Sequence, residues 1–358
     1  MKKLSFILTF SLLLCFNCNS NDDSNDGFKV NTLLEDLTNQ QIIPSIDAFV
    51  NASNSFEIAI HNYIDNPTTS NLEIARNEWQ LTAIAYEKTY VHHIGSARDQ
   101  FIHTSIYNWP TVEGAIEFFI SDNDTIDEAF MATISAQAKS LAAIEYLLFA
   151  EDEATTNTSF IDSEKRRNYL SLSAAYLTSR AEKLQDIWST TGENYATTFI
   201  NSDDSGIQGS FNQYYNGIHN ALDVTKTTKV GKPAGLENSQ VINPELTQAY
   251  YSETSKALVQ ASIESVETAY FNLEGIGVDD YVFSITNTTD LNDAIQNKIN
   301  EIYVALNAIT IPLNEAVEQN HDLVEDLHSK LEELRILFAV DVRSILSIVI
   351  TTTDTDGD

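Results

Sequence analysis

The chain has 358 residues, 43% hydrophobic and 10% aromatic, with 52 acidic against 20 basic side chains and a formal charge of −32. That apolar content supports a packed core and excludes a disordered polyanion, and the length accommodates two domains. So acidic a surface repels phosphate backbones and anionic lipid, which argues against nucleic acid as a partner and leaves metal cations or cationic ligands compatible.

Lys2 and Lys3 precede an apolar run from Leu4 to Phe16, the pattern of a secretory signal peptide and too short for a membrane span. The run leads to Cys18, after which Asn19 to Asp26 form a polar tether. This is similar to a bacterial lipoprotein signal, with cleavage before Cys18 and acylation of its thiol; Cys15 is the competing position. Either choice leaves no cysteine in the body for a disulfide, a thiolate nucleophile or a zinc-thiolate site. The expected organisation is a signal peptide over 1–17, a tether over 18–30, an N-terminal helical bundle over 31–200 and a C-terminal one over 201–358.

Twelve glycines and six prolines are few for this length and point to long helices. Apolar spacing predicts a helix from Thr32 to Ile64 with a kink at Pro44. Ser70 and Glu73 suggest a capping box for a helix carrying Trp79, Ala83 and Tyr86. The stretch from His92 to Asp122 is less regular. Ile126, Phe130, Ile134, Ala138 and Leu141 recur at three- and four-residue steps, predicting one long helix that starts near Asp124 and Asp127 and runs through Glu145. Glu151 to Ser159 reads as a loop, and Ser163 as the cap of the next helix. The Asn201 to Gly206 segment marks a domain boundary. Beyond it Phe211 to Leu222 form an apolar face, the Lys229–Gly235 stretch ends that helix as a loop, and further helices are expected over Ser252–Leu273, Asp290–Asn307 and Asn314–Phe338. The β-branched tail from Ser347 to Thr353 should be extended.

Glu145 is the one charged residue between Leu141 and Ala150, inside the apolar stripe of its helix. A carboxylate there requires a hydrogen-bond donor, a cation or a proton. Its possible cationic partners include Arg98, Arg166 and Arg180. Two other sets have ligand-like chemistry. His321, Glu325 and His328 lie at i, i+4 and i+7 and could share a cation, although Glu318, Asp322, Asp326 and Glu332 around them describe a solvated helix face. His92, His93 and His103 lie in the irregular stretch, where adjacent histidines point to different sides. Trp109, before Pro110, fits a staple between helices. No zinc-peptidase His-Glu-x-x-His motif, nucleophile elbow, P-loop or dinucleotide-binding glycine pattern is present.

In their order and spacing, several of these features resemble the imelysin family of bacterial envelope proteins, over nearly the whole mature chain. Ser140-Leu-Ala-Ala-Ile-Glu-Tyr-Leu-Leu-Phe149 is similar to the signature Gly-x-His-x-x-Glu followed by Tyr-Leu-Leu. Trp79, Ile94-Gly95-Ser96, Tyr107-Asn-Trp-Pro110, Lys229–Gly235 and Asp356-Gly-Asp358 resemble its other landmarks. The resemblance implies an all-α protein of two helical-bundle halves, to which the short extended C-terminal tail read from composition is added, and places the signature glutamate near the cleft between the halves. It also implies an association with iron, and for some members a metallopeptidase activity. Here the signature glycine is Ser140 and the signature histidine is Ala142; only Glu145 matches. An alanine neither ligates metal nor carries a proton, so the peptidase assignment does not transfer with the resemblance.

These points lead to the expectation of a non-enzymatic, lipid-anchored cell-envelope protein. It is periplasmic or surface-exposed at the outer membrane, and binds a divalent metal, iron or a small ligand in an inter-domain cleft. Glu145 would accept from or ligate the bound species, Trp109 and Tyr146 would form walls, and metal-uptake proteins would be partners. Two alternatives are a metallopeptidase, in which His93, His103 or His219 approaches Glu145, and a structural or partner-binding surface lipoprotein.

Overall fold

The computed structural model describes residues 28–202 and 206–351. The signal peptide, Cys18, most of the tether and Asp356 to Asp358 lie outside them, as does the centre of the expected boundary at 201–206. The described residues form helices and connecting turns, without a strand, in two packed groups.

In the first group, α1 (Ile43–Asp65), α2 (Thr69–Thr89), α3 (Leu141–Phe149) and α4 (Glu164–Trp188) pack together, with α1 lying against both α2 and α4. In the second, α5 (Ser210–Val224), α6 (Ser255–Phe271), α7 (Asp290–Ala308) and α8 (His321–Ile336) form the corresponding body. The groups meet where α6 packs against α2, and their buried side chains form one continuous apolar cluster. Among the described residues no helix is long and apolar enough to cross a membrane.

Local chemistry accounts for several boundaries that differ from the periodicity. Thr68, rather than the Ser70–Glu73 pair, caps α2, its Oγ1 accepting from the Asn71 amide at 3.3 Å. The helix expected to run unbroken from Asp124 is interrupted: Glu128–Thr133 forms one short helix and α3 begins only at Leu141. Tertiary donors take the carbonyls of the break. Lys139 Nζ donates to the Met131 carbonyl, Thr111 Oγ1 to that of Gln137 at 2.8 Å, and Tyr169 Oη to that of Ala138. With these partners the backbone does not need a continuing helix.

The expected loop at Glu151–Ser159 is instead part of a helix, Glu153–Asp162. Asp152 Oδ1 accepts from the amides of Ala154 and Thr155 at 2.9 and 3.1 Å, and Phe160 is buried edge-on against Tyr63. Ser163 caps α4 as expected, accepting from the Arg166 amide at 3.1 Å. The single helix expected over Asn314–Phe338 breaks at Asn320, and α6 starts at Ser255 rather than Ser252.

Wide, π-type turns continue three helical segments, at Thr38–Ile42, Thr225–Gly231 and Leu337–Val342. The second keeps Lys229 helical where the sequence suggests a loop. The tail is non-helical beyond Ser347 as far as it is described. Val349 exchanges hydrogen bonds with the side chain of Asn212, at 2.8 and 3.0 Å, and Asn216 accepts from the Thr351 amide at 2.8 Å.

Candidate functional site

Helix α3 is buried on nearly every side, and hydrogen bonds fix both of its ends, Arg76 Nε donating to the Leu148 carbonyl at 2.8 Å near its C-terminus. Trp79 Nε1, from α2, donates to the Leu141 carbonyl at 3.1 Å, and the Asn108 amide donates to Ser140 Oγ at 3.2 Å. The second bond ties α3 to the turn bearing Trp109 and Pro110, whose peptide bond is cis. Glu145, 3% exposed, then faces the segment that precedes α6. There the Ser252 amide donates to Glu145 Oε1 at 2.8 Å. Burial pushes the Glu145 carboxyl up to about 7, and hydrogen bonds from Ser252 oppose the rise. None of Arg98, Arg166 and Arg180 supplies that contact. Arg166 holds Glu117, Arg98 lies beside Asp99, and Arg180 sits over the Tyr176 ring.

Glu145 opens onto a cavity of about 440 Å³ between the two helical groups. Trp109, Pro110, Glu113 and Ala142 line it from the first group, and Asn243, Glu245, Tyr250 and Tyr251 from the second. Trp109 is half-buried, edge-on to Tyr107 at 5.5 Å, so it is both a packing residue and a wall. Tyr146 lies beside the cavity rather than on its lining. Its ring meets Tyr251 edge-on at 5.6 Å and its hydroxyl donates to Glu117 at 2.9 Å. Both Glu117 oxygens also accept from Arg166 at 2.9 Å. The Tyr251 hydroxyl donates to Glu113 across the cavity mouth, linking the two helical groups. Ala249 and Glu253, on either side of this segment, both have φ of 57°, a left-handed conformation that costs a non-glycine residue about 1–3 kcal/mol. The neighbouring contacts hold the segment in a shape it would not choose alone.

The methyl group of Ala142 lines the same cavity, one helical turn before Glu145. No imidazole occupies that position. Among the described residues no group of three or more histidine, cysteine, aspartate or glutamate side chains is placed to hold a metal ion, around Glu145 or elsewhere. His321, Glu325 and His328 do not form such a group among the described residues. His321 Nδ1 lies 3.0 Å from the Val317 carbonyl, and His328 Nε2 lies 2.8 Å from Glu237, a residue held also by Lys226 at 2.9 Å. His93 and His103 pack edge-on at 5.3 Å among Tyr86 and Tyr90, forming an aromatic cluster of their own.

Sequence reasoning places Glu145 and Trp109 on the cavity but misses the opposite wall, Asn243 to Ser252. That wall consists of a single 3-10 turn at Pro244–Leu246, further turns and the left-handed Ala249, without apolar periodicity, so it carries no pattern to read. It also misses Glu87 on α2 and its partners immediately behind the site. Glu87, 1% exposed, accepts from Lys229 Nζ, from Ser262 Oγ at 2.9 Å and from Gln248 Nε2 at 2.6 Å. Lys229, an expected landmark, is itself 2% exposed, and burial lowers its pKa against the opposing pull of Glu87.

The model of the peptidase family described as Imelysin matches residues 42–337. The iron-regulated protein A of Synechococcus elongatus is 24% identical over 218 residues, covering 57% of this chain; the chain spans about half the length of that curated relative. Two solved structures share the fold. One is a putative iron-regulated protein A precursor from Parabacteroides distasonis, with a TM-score of 0.74 at 17% identity, covering 88% of this chain and 94% of the other. The other is an imelysin-like protein from Psychrobacter arcticum, with a TM-score of 0.72 at 16% identity, covering 90% and 96%. With its model matched across most of the chain, and with both helical groups and the glutamate-bearing α3 in place, the protein belongs to the imelysin family.

Proposed function

We propose that the protein is a non-enzymatic, lipid-anchored envelope protein that binds a small hydrogen-bond-donating ligand in the cavity at Glu145. The observation that carries this reading is a buried carboxyl at a cavity wall, satisfied in part by one backbone amide and flanked by Trp109, Tyr250 and Tyr251. A carboxyl poised near neutrality both accepts from and donates to a ligand, and the aromatic walls favour a flat one. The relatives named for iron regulation suggest an iron-responsive setting. A bare metal ion fits the donor set poorly, since Ala142 offers no ligand and the Tyr251 hydroxyl already engages Glu113. Iron would then arrive within a chelate. The same missing imidazole weighs against a metallopeptidase. The anchor would be the acylated Cys18 at the outer membrane, with metal-uptake proteins as partners.

Calorimetric titration of the chain from residue 28 onward tests this reading. The probes are acetohydroxamate with and without ferric ion, and bare iron, zinc and calcium salts, against wild type and Glu145→Gln. Saturable hydroxamate binding that weakens in Glu145→Gln is the expected result. Equal or null hydroxamate heats in both proteins would sink the ligand reading, and a one-to-one heat for a bare metal, lost in Glu145→Gln, would restore direct metal binding in its place.

A further inference from the structure

A second cavity, of about 570 Å³, lies apart from the Glu145 site, where the Thr38–Ile42 turn and the start of α1 face α6 and α7. Its charged lining is Lys88, Glu264 and Glu267. Lys88 Nζ is already 3.0 Å from Glu264, a carboxylate that also accepts from Gln260 at 2.8 Å. Among the described residues Glu267 has only neutral donors, Gln296 Nε2 and Tyr303 Oη, both at 2.7 Å. One negative charge at the cavity is thus left without a cation.

His92 supplies an independent observation. It lines this cavity at 4% exposure, stacked on Tyr214 at 6.0 Å, and its Nδ1 has no hydrogen-bond partner. His93 and His219 also carry buried ring nitrogens without a partner, but of these three histidines His92 alone lines this cavity. Burial holds the imidazole pKa down to about 3, so the ring is neutral and does not repel a cation. Phe271 adds an aromatic wall and Pro44 an aliphatic one.

We propose that this cavity binds a small organic ammonium compound, its charged head on Glu267, its stem along Phe271 and Pro44, and a polar group within reach of His92. The preference for an ammonium over a neutral polar molecule rests on the uncompensated Glu267, and the preference over an inorganic cation rests on the apolar walls and the absence of a three-ligand metal group among the described residues. This inference is independent of the Glu145 reading and survives its failure.

Putrescine is the probe, with 1,4-butanediol as its uncharged counterpart, titrated at 0.15 M ionic strength so that diffuse attraction to the acidic surface is screened. The expected result is one-to-one putrescine binding, undetectable butanediol binding, and at least about tenfold weakening in Glu267→Gln. The exposed-carboxylate variant Glu182→Gln should bind as wild type does. If Glu267→Gln fails to fold, His92→Phe, which keeps a ring against Tyr214 but removes the nitrogens, decides the question by the same loss. Absent saturable binding, equal binding of butanediol, undiminished affinity in a folded Glu267→Gln or, where that variant does not fold, in His92→Phe, or many weak sites that disappear with salt would each overturn the proposal.

Discussion

Gln248 Nε2 donates to Glu87 Oε1 at 2.6 Å, joining the wall of the Glu145 cavity to the most deeply buried ion pair among the described residues. Gln248 immediately precedes Ala249, whose left-handed backbone opens the turn that presents Tyr250, Tyr251 and the Ser252 amide. Glu87 belongs to α2 in the first helical group, whereas Lys229, Ser262 and Gln248 belong to the second. A single buried charge therefore does two things: it fixes how the groups meet and it anchors the strained turn that contacts Glu145.

Removing one member of that pair should be costly. Lys229→Met leaves Glu87 buried without its cation, and a loss of about 3–5 kcal/mol is expected in chemical denaturation. Replacing both, with Glu87→Leu and Lys229→Met together, should recover much of the loss because no unpaired charge remains. The double variant would still lack the bond to Gln248, so ligand affinity at the Glu145 cavity should stay weakened even where stability returns. Full recovery of affinity in a stable double variant would show that the ion pair does not position the turn.

Glu145 gives a pH signature with a definite sign. Its carboxyl is raised from 4.5 to about 7 by burial, so the folded state holds the proton more tightly than the unfolded chain. Its contribution is most favourable below pH 4.5 and is lost as pH rises toward 7, by about 3 kcal/mol across the window. Glu145→Gln should remove this slope and be more stable than wild type at pH 8. Asp279, also pushed up to about 7 by burial and by Asp280, titrates in the same window and should leave a residual slope. Denaturation midpoints between pH 4 and 8 measure both, and an unchanged slope in Glu145→Gln would contradict the assignment.

What the sequence makes legible follows from what periodicity records. The long helices and the burial of Trp79 and Tyr86 are written in apolar spacing, because a helix that packs on one face must repeat it. Glu145 stands out for the same reason, as an exception within such a repeat. The break before α3 is not legible, since it depends on Thr111, Tyr169 and Lys139 reaching carbonyls 8 to 31 residues away in the chain. Nor is the partner of Glu145: a backbone amide at Ser252, 107 residues on, has no side-chain identity for sequence to display. Separation hides the Glu87–Lys229 pair in the same way, although both residues are charged and visible.

The buried histidines act in the opposite direction to Glu145. Burial lowers His92 from 6.5 to about 3 and lowers His93 and His219 as well, so the folded state disfavours their protonation. Stability is fully present above the unfolded value and falls as pH drops below 6.5, each such histidine contributing a limiting slope of about 1.4 kcal/mol per pH unit. His92→Phe should flatten the acid limb by about one histidine's slope. Proton uptake on acid unfolding, measured by calorimetry in buffers of different ionisation enthalpy, should fall by close to one proton in this variant; an unaltered uptake would mean that His92 is protonated in the folded protein.

Gly95 and Gly114 should respond in opposite ways to the same substitution. Gly95 has φ of 49°, and a Cβ there would overlap the Tyr195 hydroxyl. Tyr195 cannot move freely, because its ring packs edge-on against buried Trp188 at 4.9 Å. Gly95→Ala thus incurs the left-handed backbone cost of about 1–2 kcal/mol and a further cost from displacing Tyr195. Gly114 lies in the helix Glu113–Asp122 with nothing within 4 Å of an added Cβ. Gly114→Ala should be neutral or stabilise by up to about 1 kcal/mol, because alanine loses less backbone entropy on entering a helix. Thermal denaturation of the two variants side by side provides the measurement. Equal shifts would imply that the contact between Gly95 and Tyr195 relaxes freely, and with it that the junction of the Ile94–Ser96 turn with Tyr195 is not a fixed point of the fold.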